Sequence, residues 1–151
     1  MGGTFMIKPS VCPAVAEDAE RIALLNETCL GKAYPLGRAQ RQLKQLLLDP
    51  SQKVLVAVYH GQMIGYIHAS DVLTTYQEPS KIIHSIVVDK EFRRQGVGRA
   101  LLHAVELWAA SDGCKTVTAA VAGNKAAQTF FVACGSEGKT SAKWFVKSTD
   151  Q

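Results

Sequence analysis

The chain has 151 residues, of which 47% are hydrophobic and 20% charged, and it carries a formal net charge of +4. This length predicts one domain, over residues 1–151, that is able to bury a single core. No apolar run approaches the length of a membrane span. The modest charge, clustered only near residues 90–99, argues against a nucleic-acid-binding protein.

Cysteine usage and the first residues indicate a reduced, intracellular setting. The four cysteines, Cys12, Cys29, Cys114 and Cys134, are far apart and form no Cys-x-x-Cys or Cys/His cluster. This spacing argues against a zinc site and a disulfide scaffold and favours reduced packing residues. The first residues, MGGTFMIKP, lack the charged and then apolar pattern of a secretory signal, so we expect a cytoplasmic protein with no bound metal.

The first part of the chain predicts a short strand and two helices. Residues 5–9 are typical of a first strand. Residues 14–29 place apolar side chains at helical spacing, with acids near the start, which predicts an amphipathic helix. A second helix is predicted over residues 36–48, with three leucines on one face, and Asp49-Pro50 ends it.

Strands and helices alternate in the rest of the chain. Residues 53–59 and 62–69 flank His60-Gly61, which predicts a hairpin with a two-residue turn. The later elements are a strand over 81–88, a helix from about residue 97 to Asp112-Gly113 that packs Trp108 in the core, a strand over 115–121, a helix capped by Asn124, and a last strand in KTSAKWFVKS.

The loop after the strand at 81–88 predicts an anion site. The sequence RRQGVG occupies residues 93–98, directly before a helix. Its two glycines let the backbone approach a ligand, and the first turn of a helix presents unbonded N–H groups and the positive end of the dipole. A dinucleotide-binding fingerprint needs a small residue where Leu101 stands, and a Walker loop needs Gly-Lys-Ser/Thr, so the sequence excludes both.

This loop resembles the acyl-CoA loop of the GCN5-related N-acetyltransferases (GNAT), Gln/Arg-x-x-Gly-x-Gly/Ala after a strand that ends in valine. Arg93, Gly96 and Gly98 match it, with Val88 at the strand end. A second motif of the family, Asn-x-x-Ala-x-x-Phe-Tyr-x-x-x-Gly-Phe, is matched from residue 124 onward with two departures, Phe131 for tyrosine and Ser136 for phenylalanine. The resemblance covers the chain from about Ile7 to Lys147.

The resemblance implies an α/β (α+β) fold with a mixed, mostly antiparallel sheet. We expect about six or seven strands, helices on both faces, and a central parallel pair, 81–88 and 115–121, that splays apart. It implies acetyl-CoA as co-substrate, with the pantetheine arm pairing like a strand with backbone of Ile86 and Val88. The pyrophosphate would rest on the amides of Arg94, Gln95, Gly96, Val97, Gly98 and Arg99, with Asn124 and Phe131 of the second motif also at the CoA.

The same resemblance leaves some roles open. Arg93, Arg94 and Lys125 are candidates for the adenosine 3′-phosphate, or else solvated surface cations. The family places a catalytic carboxylate at Ile82, which cannot act as a base. His84 lies two residues on, on the same face of the strand, and its reference pKa of about 6.5 suits a general base. The alternative is a packed histidine that is hydrogen-bonded to a neighbour.

The family tyrosine that protonates the CoA thiolate is Phe131 here, and phenylalanine cannot donate a proton. A thiol has a reference pKa of about 8.5, so the thiolate remains a tolerable leaving group. The resemblance therefore implies direct transfer of acetyl to a primary amine. It also leaves open a CoA-binding sensor module with little transferase activity.

The acceptor is predicted to be the amine of a small molecule, with a protein or peptide amine as the alternative. Lys32 and Arg38, in the segment that walls the acceptor cleft in the family, suggest an acceptor with a carboxylate or phosphate. Asp71 and Glu78 suggest a polyamine or aminoglycoside. For each of the four residues the alternative is a solvated surface charge with no role in binding. A homodimer is implied by family analogy alone.

Overall fold

A computed structural model describes residues 5–120, 125–136 and 145–149. None of the helices in these ranges combines the length and apolarity that a membrane crossing needs. The elements in chain order are β1 (Ser10–Pro13), α1 (Ala19–Leu30), α2 (Leu36–Leu48), β2 (Gln52–Tyr59), β3 (Gln62–Val72), β4 (Ser80–Val88), α3 (Val97–Ser111), β5 (Val117–Ala119) and α4 (Lys125–Ala133). They divide into two units, Met1–Ala120 and Val121–Gln151.

The five strands of the described residues form one mixed sheet in the order β1-β2-β3-β4-β5. Each neighbouring pair is antiparallel except β4 and β5, which are parallel. The hairpin of β2 and β3 turns at His60-Gly61 as predicted. The predicted fold class is confirmed, with five strands in the described ranges instead of six or seven.

Two predicted strands account for the difference in strand count. Residues 5–9 form no strand, because the N–H of Ile7 donates to the carbonyl of Gln95 at 2.9 Å and Pro9 has no N–H to donate. The first strand begins at Ser10, which pairs with Val58. The predicted last strand spans residues 139–148; residues 137–144 lie outside the described ranges, and 145–149 carry no strand.

Helices cover both faces of the sheet in the first unit, as predicted. Tyr66 bonds through its hydroxyl to Asn26 of α1, whereas a Cβ on the adjacent Gly65 would lie 3.5 Å from Leu101 of α3. Consecutive residues of a strand point to opposite faces, so α1 and α3 lie on opposite sides. Leu25 and Leu101 are fully buried on their respective sides, and each contributes about 1.5–3 kcal/mol by leaving water.

Lys81, at the start of β4, is 2% exposed. Its ammonium contacts the carboxylates of Asp71 and Asp112 and lies 3.8 Å from the ring centroid of Trp108. Burial lowers the pKa of Lys81, but the bonds to Asp112 and Asp71 outweigh burial, so the net pKa is raised. Trp108 thus packs within the fold, as predicted, and the cluster links β3, β4 and α3.

The described part of the second unit is mainly α4. Phe131 is buried, and the ring of Phe130 meets it edge-on at 5.2 Å between centroids. The predicted apolar face is confirmed, because Ala127, Phe130 and Cys134 are also partly buried. Asn124, the predicted cap of this helix, lies outside the described residues.

Candidate active site

The edge of β4 that no strand of the described ranges pairs with beyond residue 83 is the central feature of the candidate site, and we call it the exposed edge. Within the described residues, β5 pairs with β4 only at residues 81–83, and β4 continues to Val88. Residues 85–88 pair with β3 on one side only, as far as the described chain extends. Backbone groups left unpaired at a strand edge accept a further extended chain. Ile86 and Val88 lie in this segment, where the carbonyl of Val88 also accepts a hydrogen bond from Nε of Arg93 at 3.2 Å.

An ion pair fixes the point at which the chain leaves β4. Asp89 caps the 3-10 turn Lys90–Phe92 by accepting the N–H of Glu91 at 3.0 Å. Its other carboxylate oxygen is 2.7 Å from Nη2 of Arg21 in α1, and Arg21 Nε donates to the carbonyl of Met63 at 3.0 Å. Sequence reasoning missed Arg21, since a pair 68 residues apart leaves no local pattern.

The loop at residues 93–98 is a tight turn into α3. Arg94 and Gly96 have positive φ values of 62° and 89°. The side chain of Gln95 donates to the carbonyl of Glu91 at 3.2 Å. The methyl carbon of Met6 occupies the space beside Gly96, 2.6 Å from where a Cβ would be. The positive φ therefore favours glycine at residue 96, and a Cβ there would also push aside the flexible end of the exposed Met6 side chain.

The N-terminus of α3 follows directly from this turn. The first intrahelical bond runs from the N–H of Ala100 to the carbonyl of Gly96, at 3.1 Å. The amides that precede it, from residue 97, have no acceptor within the helix, as at any helix start. Arg93, Arg94 and Arg99 are exposed around them. Amides, dipole and guanidinium groups together suit a polyphosphate.

His84 lies on the face of β4 that α1 and α2 cover, and its side chain is exposed. Its Nε2 is 2.6 Å from the hydroxyl oxygen of Ser70, and its ring centroid is 4.7 Å from that of His68. Nε2 of His68 is 2.7 Å from Oε1 of Gln52. Burial, and then the neighbouring His84, lower the pKa of His68 to about 4. His84 is thus hydrogen-bonded and still accessible.

A second polar group, which sequence reasoning also missed, adjoins the end of β4. The hydroxyl of Tyr66 donates to Asn26, and the sulfur of Cys29 lies 3.8 Å from the carbonyl oxygen of Val88. Burial raises the pKa of Tyr66, against the opposite effect of its hydrogen bonds to Ser85 and Asn26. The Tyr66 hydroxyl therefore stays neutral at ordinary pH, next to the end of β4.

Of the charges considered for acceptor binding, Lys32, Arg38 and Glu78 are exposed. The carboxylate of Asp71 pairs with Lys81 next to α3, so Asp71 already has a cationic partner. The structure therefore gathers His84, Ile86, Val88 and residues 93–99 on one strand, loop and helix start. Lys125 is exposed in α4, Phe131 is buried in α4, and Asn124 is not described.

Comparison with solved structures gives close matches of fold. The aminoglycoside N-acetyltransferase AAC(6′)-Iy in complex with CoA aligns with a TM-score of 0.81 and 20% identity, over 93% of this chain and 95% of that chain. AAC(6′)-Ih from Acinetobacter baumannii aligns with a TM-score of 0.79 and 21% identity, over 95% and 100%. A transcriptional regulator from Bacillus halodurans C-125 aligns with a TM-score of 0.79 and 19% identity, over 93% and 99%.

Sequence comparison identifies the family. No curated protein matches the sequence. The family model described as the acetyltransferase (GNAT) family matches residues 19–135, which contain β4, the loop at 93–98 and α4. The identities to the solved structures are too low to show more than the fold, whereas the family match covers most of the chain. The chain belongs to the acetyltransferase (GNAT) family.

Proposed function

We propose that this protein transfers an acetyl group from acetyl-CoA to a primary amine of a small molecule. The observation that carries the proposal is the exposed edge of β4, which ends in an arginine-rich loop at the N-terminus of α3. An extended arm that bears a pyrophosphate fits both parts of this arrangement. The solved AAC(6′)-Iy complex, which contains CoA, supports the same assignment.

In this proposal the pantetheine arm pairs with backbone of Ile86 and Val88, and the pyrophosphate binds the amides of residues 94–99. Arg94 is the best candidate for the 3′-phosphate, since Arg93 already donates from Nε to the carbonyl of Val88 at 3.2 Å. The thioester carbonyl then lies near the end of β4, where a backbone N–H near Val88 stabilises the developing negative oxygen.

His84 is the proposed general base. An alkylammonium acceptor, with a pKa of about 10.4, must lose a proton before its nitrogen attacks the thioester carbonyl. Attack forms the C–N bond, the C–S bond breaks, and CoA leaves as a thiolate. Phe131 has no proton to give, so the thiolate takes one from water, and the amide nitrogen releases its second proton to solvent.

The proposed acceptor class is supported from two sides. Two of the similar structures are aminoglycoside acetyltransferases, which favours a small amine. The exposed Lys32 and Arg38, with Asp71 withdrawn into its pair with Lys81, favour an acceptor that also bears a carboxylate or phosphate. The substitution of phenylalanine at residue 131 supports a second candidate, a CoA-binding module with little transfer activity.

The test is the initial rate of CoA thiol release from acetyl-CoA with a panel of acceptors. The panel holds polyamines, aminoglycosides, amino acids, amino sugar phosphates and short peptides, and a blank without acceptor corrects for the protein's own cysteines, of which Cys12 is exposed. Acceptor-dependent release supports the transferase. Binding of CoA by calorimetry without release across the panel favours the binding module, and absence of CoA binding contradicts both.

A further inference from the structure

Residues of β3 contact the proposed base, His84, and a residue of β2 supports one of them. His84 of β4 touches Ser70 and His68, both from β3, and His68 in turn bonds to Gln52 of β2. The pairing of β3 with β4 shifts register here: His68 pairs with Ser85 and Ala69 pairs with Ile83, so His84 is the additional residue on β4. This shift brings the side chain of His84 close to those of His68 and Ser70. Ser70 is 6% exposed, so its hydroxyl is a fixed partner inside the sheet surface.

We propose that Ser70 and His68 are positioning residues for His84: Ser70 accepts a hydrogen bond from Nε2, so that Nδ1 takes the acceptor's proton, and the neutral ring of His68 supports the imidazolium. This inference rests on the proposed function, because it assigns an atom and two supporting residues to the proposed base. It concerns hydrogen positions that can be measured without any substrate.

Hydrogen-bond chemistry decides the tautomers. An amide oxygen only accepts, so His68 carries its proton on Nε2, towards Oε1 of Gln52. The Ser70 hydroxyl either donates or accepts. If it donated to Nε2 of His84, the ring proton would sit on Nδ1 and neither nitrogen could take another proton without breaking the 2.6 Å bond. A working base therefore donates from Nε2 and keeps its lone pair on Nδ1.

The proton balance follows from this arrangement. The acceptor ammonium gives one proton to Nδ1, directly or through one water, and the imidazole becomes an imidazolium. Nε2 keeps its proton and its bond to Ser70 throughout, so the ring does not have to turn during the transfer. The free amine then attacks, and Nδ1 returns its proton to solvent after the product leaves.

His68 acts through its ring. Its centroid lies 4.7 Å from that of His84, with 37° between the planes. Burial keeps His68 neutral above about pH 5, because its pKa is about 4. A neutral aromatic face beside a cation is attractive, whereas a second imidazolium at this distance would repel it. The ring of His68 therefore stays neutral beside His84 above about pH 5.

The first experiment measures the tautomer of His84 by ¹⁵N NMR of histidine-labelled protein without ligand. The resonances are assigned by comparison with His84→Ala, and the expected result is the Nε2–H form. Ser70→Ala should turn this into a mixture of tautomers, whereas Ser111→Ala, which removes an exposed hydroxyl from α3, should not. A wild-type Nδ1–H form, or a tautomer unchanged by Ser70→Ala, overturns the proposal.

The second experiment compares two variants of His68 with an acceptor found in the panel. We expect His68→Ala to lower kcat about tenfold with an unchanged Kd for CoA, and His68→Phe, which keeps a ring, to lower kcat less. Equal losses in the two variants contradict the role of the ring. If no acceptor is found, the proposed function is in question, but the tautomer result still decides the role of Ser70.

Discussion

Arg21 and Asp89 form an ion pair at 2.7 Å that joins α1 to the end of β4. Asp89 also caps the turn that leads into the arginine-rich loop, through its bond to the N–H of Glu91. One carboxylate therefore couples α1 to the loop on which we place the CoA phosphates.

Asp89→Asn keeps an oxygen for the cap and loses the ion pair, whereas Asp89→Ala loses both. We expect the free energy of unfolding to fall by about 0.5–1 kcal/mol in the first variant and by about 1–2 kcal/mol in the second. Only Asp89→Ala should clearly weaken CoA binding, because only it frees the turn. Urea unfolding and calorimetry test this, and equal CoA affinities for the two variants would contradict it.

Gly96→Ala should weaken CoA binding about tenfold. Its positive φ of 89° strains any other residue, and the added Cβ would displace Met6 from the loop. Gly113→Ala is the matched control: its φ of 73° carries similar strain, it has open space around it, and it lies beyond the far end of α3. Similar thermal stabilities with different CoA affinities are expected, and a similar loss of affinity in both variants would assign the effect to strain alone.

The sequence predicted those parts of the fold that depend on residues close together in the chain. The two-residue turn at His60-Gly61 and the change from a β-branched strand to RRQGVG and then to a helix each lie within about ten residues, so pattern and turn chemistry suffice. The assignment of the family rested on this segment and on the second motif from residue 124, and the family match confirms it.

The remaining features depend on contacts between distant residues. Lys81 is buried because its ammonium contacts the carboxylates of Asp71 and Asp112 and the ring of Trp108. The residues around Lys81 in the sequence contain no pattern that predicts these contacts. The predicted strand at residues 5–9 was wrong because Ile7 bonds to the loop carbonyl of Gln95 instead of to a strand. An apolar pattern shows that a segment is extended or buried, but it does not identify its partner.

The Lys81 cluster gives a test of buried charge. Asp71→Ala with Asp112→Ala leaves an ammonium that is 2% exposed without its two carboxylates, and we expect a loss of about 3 kcal/mol. Lys81→Met leaves two half-exposed carboxylates that water can solvate, so its cost should be about 1–2 kcal/mol. Adding Lys81→Met to the double variant should raise stability. A triple variant less stable than the double variant would contradict this account.

His84→Ala should lower kcat about a hundredfold while the Kd for acetyl-CoA stays within about twofold of wild type. The reason is that His84 lies on the face of the sheet where we place the acceptor, whereas the proposed CoA contacts are backbone groups and the loop. His103→Ala is the control, since His103 is an exposed histidine of α3. Turnover of His84→Ala that equals wild type from about pH 6 to 9 would eliminate His84 as the base.

His68 should make the protein less stable in mild acid. Burial and His84 hold its pKa at about 4 in the folded chain, below the 6.5 of an ordinary histidine. Between these values the unfolded chain binds the additional proton, so the free energy of unfolding falls as pH drops through this window and rises as pH increases.

Carboxylates titrate in the same pH range, so the informative quantity is the difference in the free energy of unfolding between wild type and His68→Gln, whose amide does not titrate. We expect that difference to shift in favour of the variant as the pH falls from about 7 to about 4, in urea titrations at several pH values. His103→Gln, a change of the same kind at an exposed site, is the control. Parallel curves for wild type and His68→Gln would mean that His68 accepts a proton in the folded chain as readily as in the unfolded one, and the histidine pair would then be able to hold two charges.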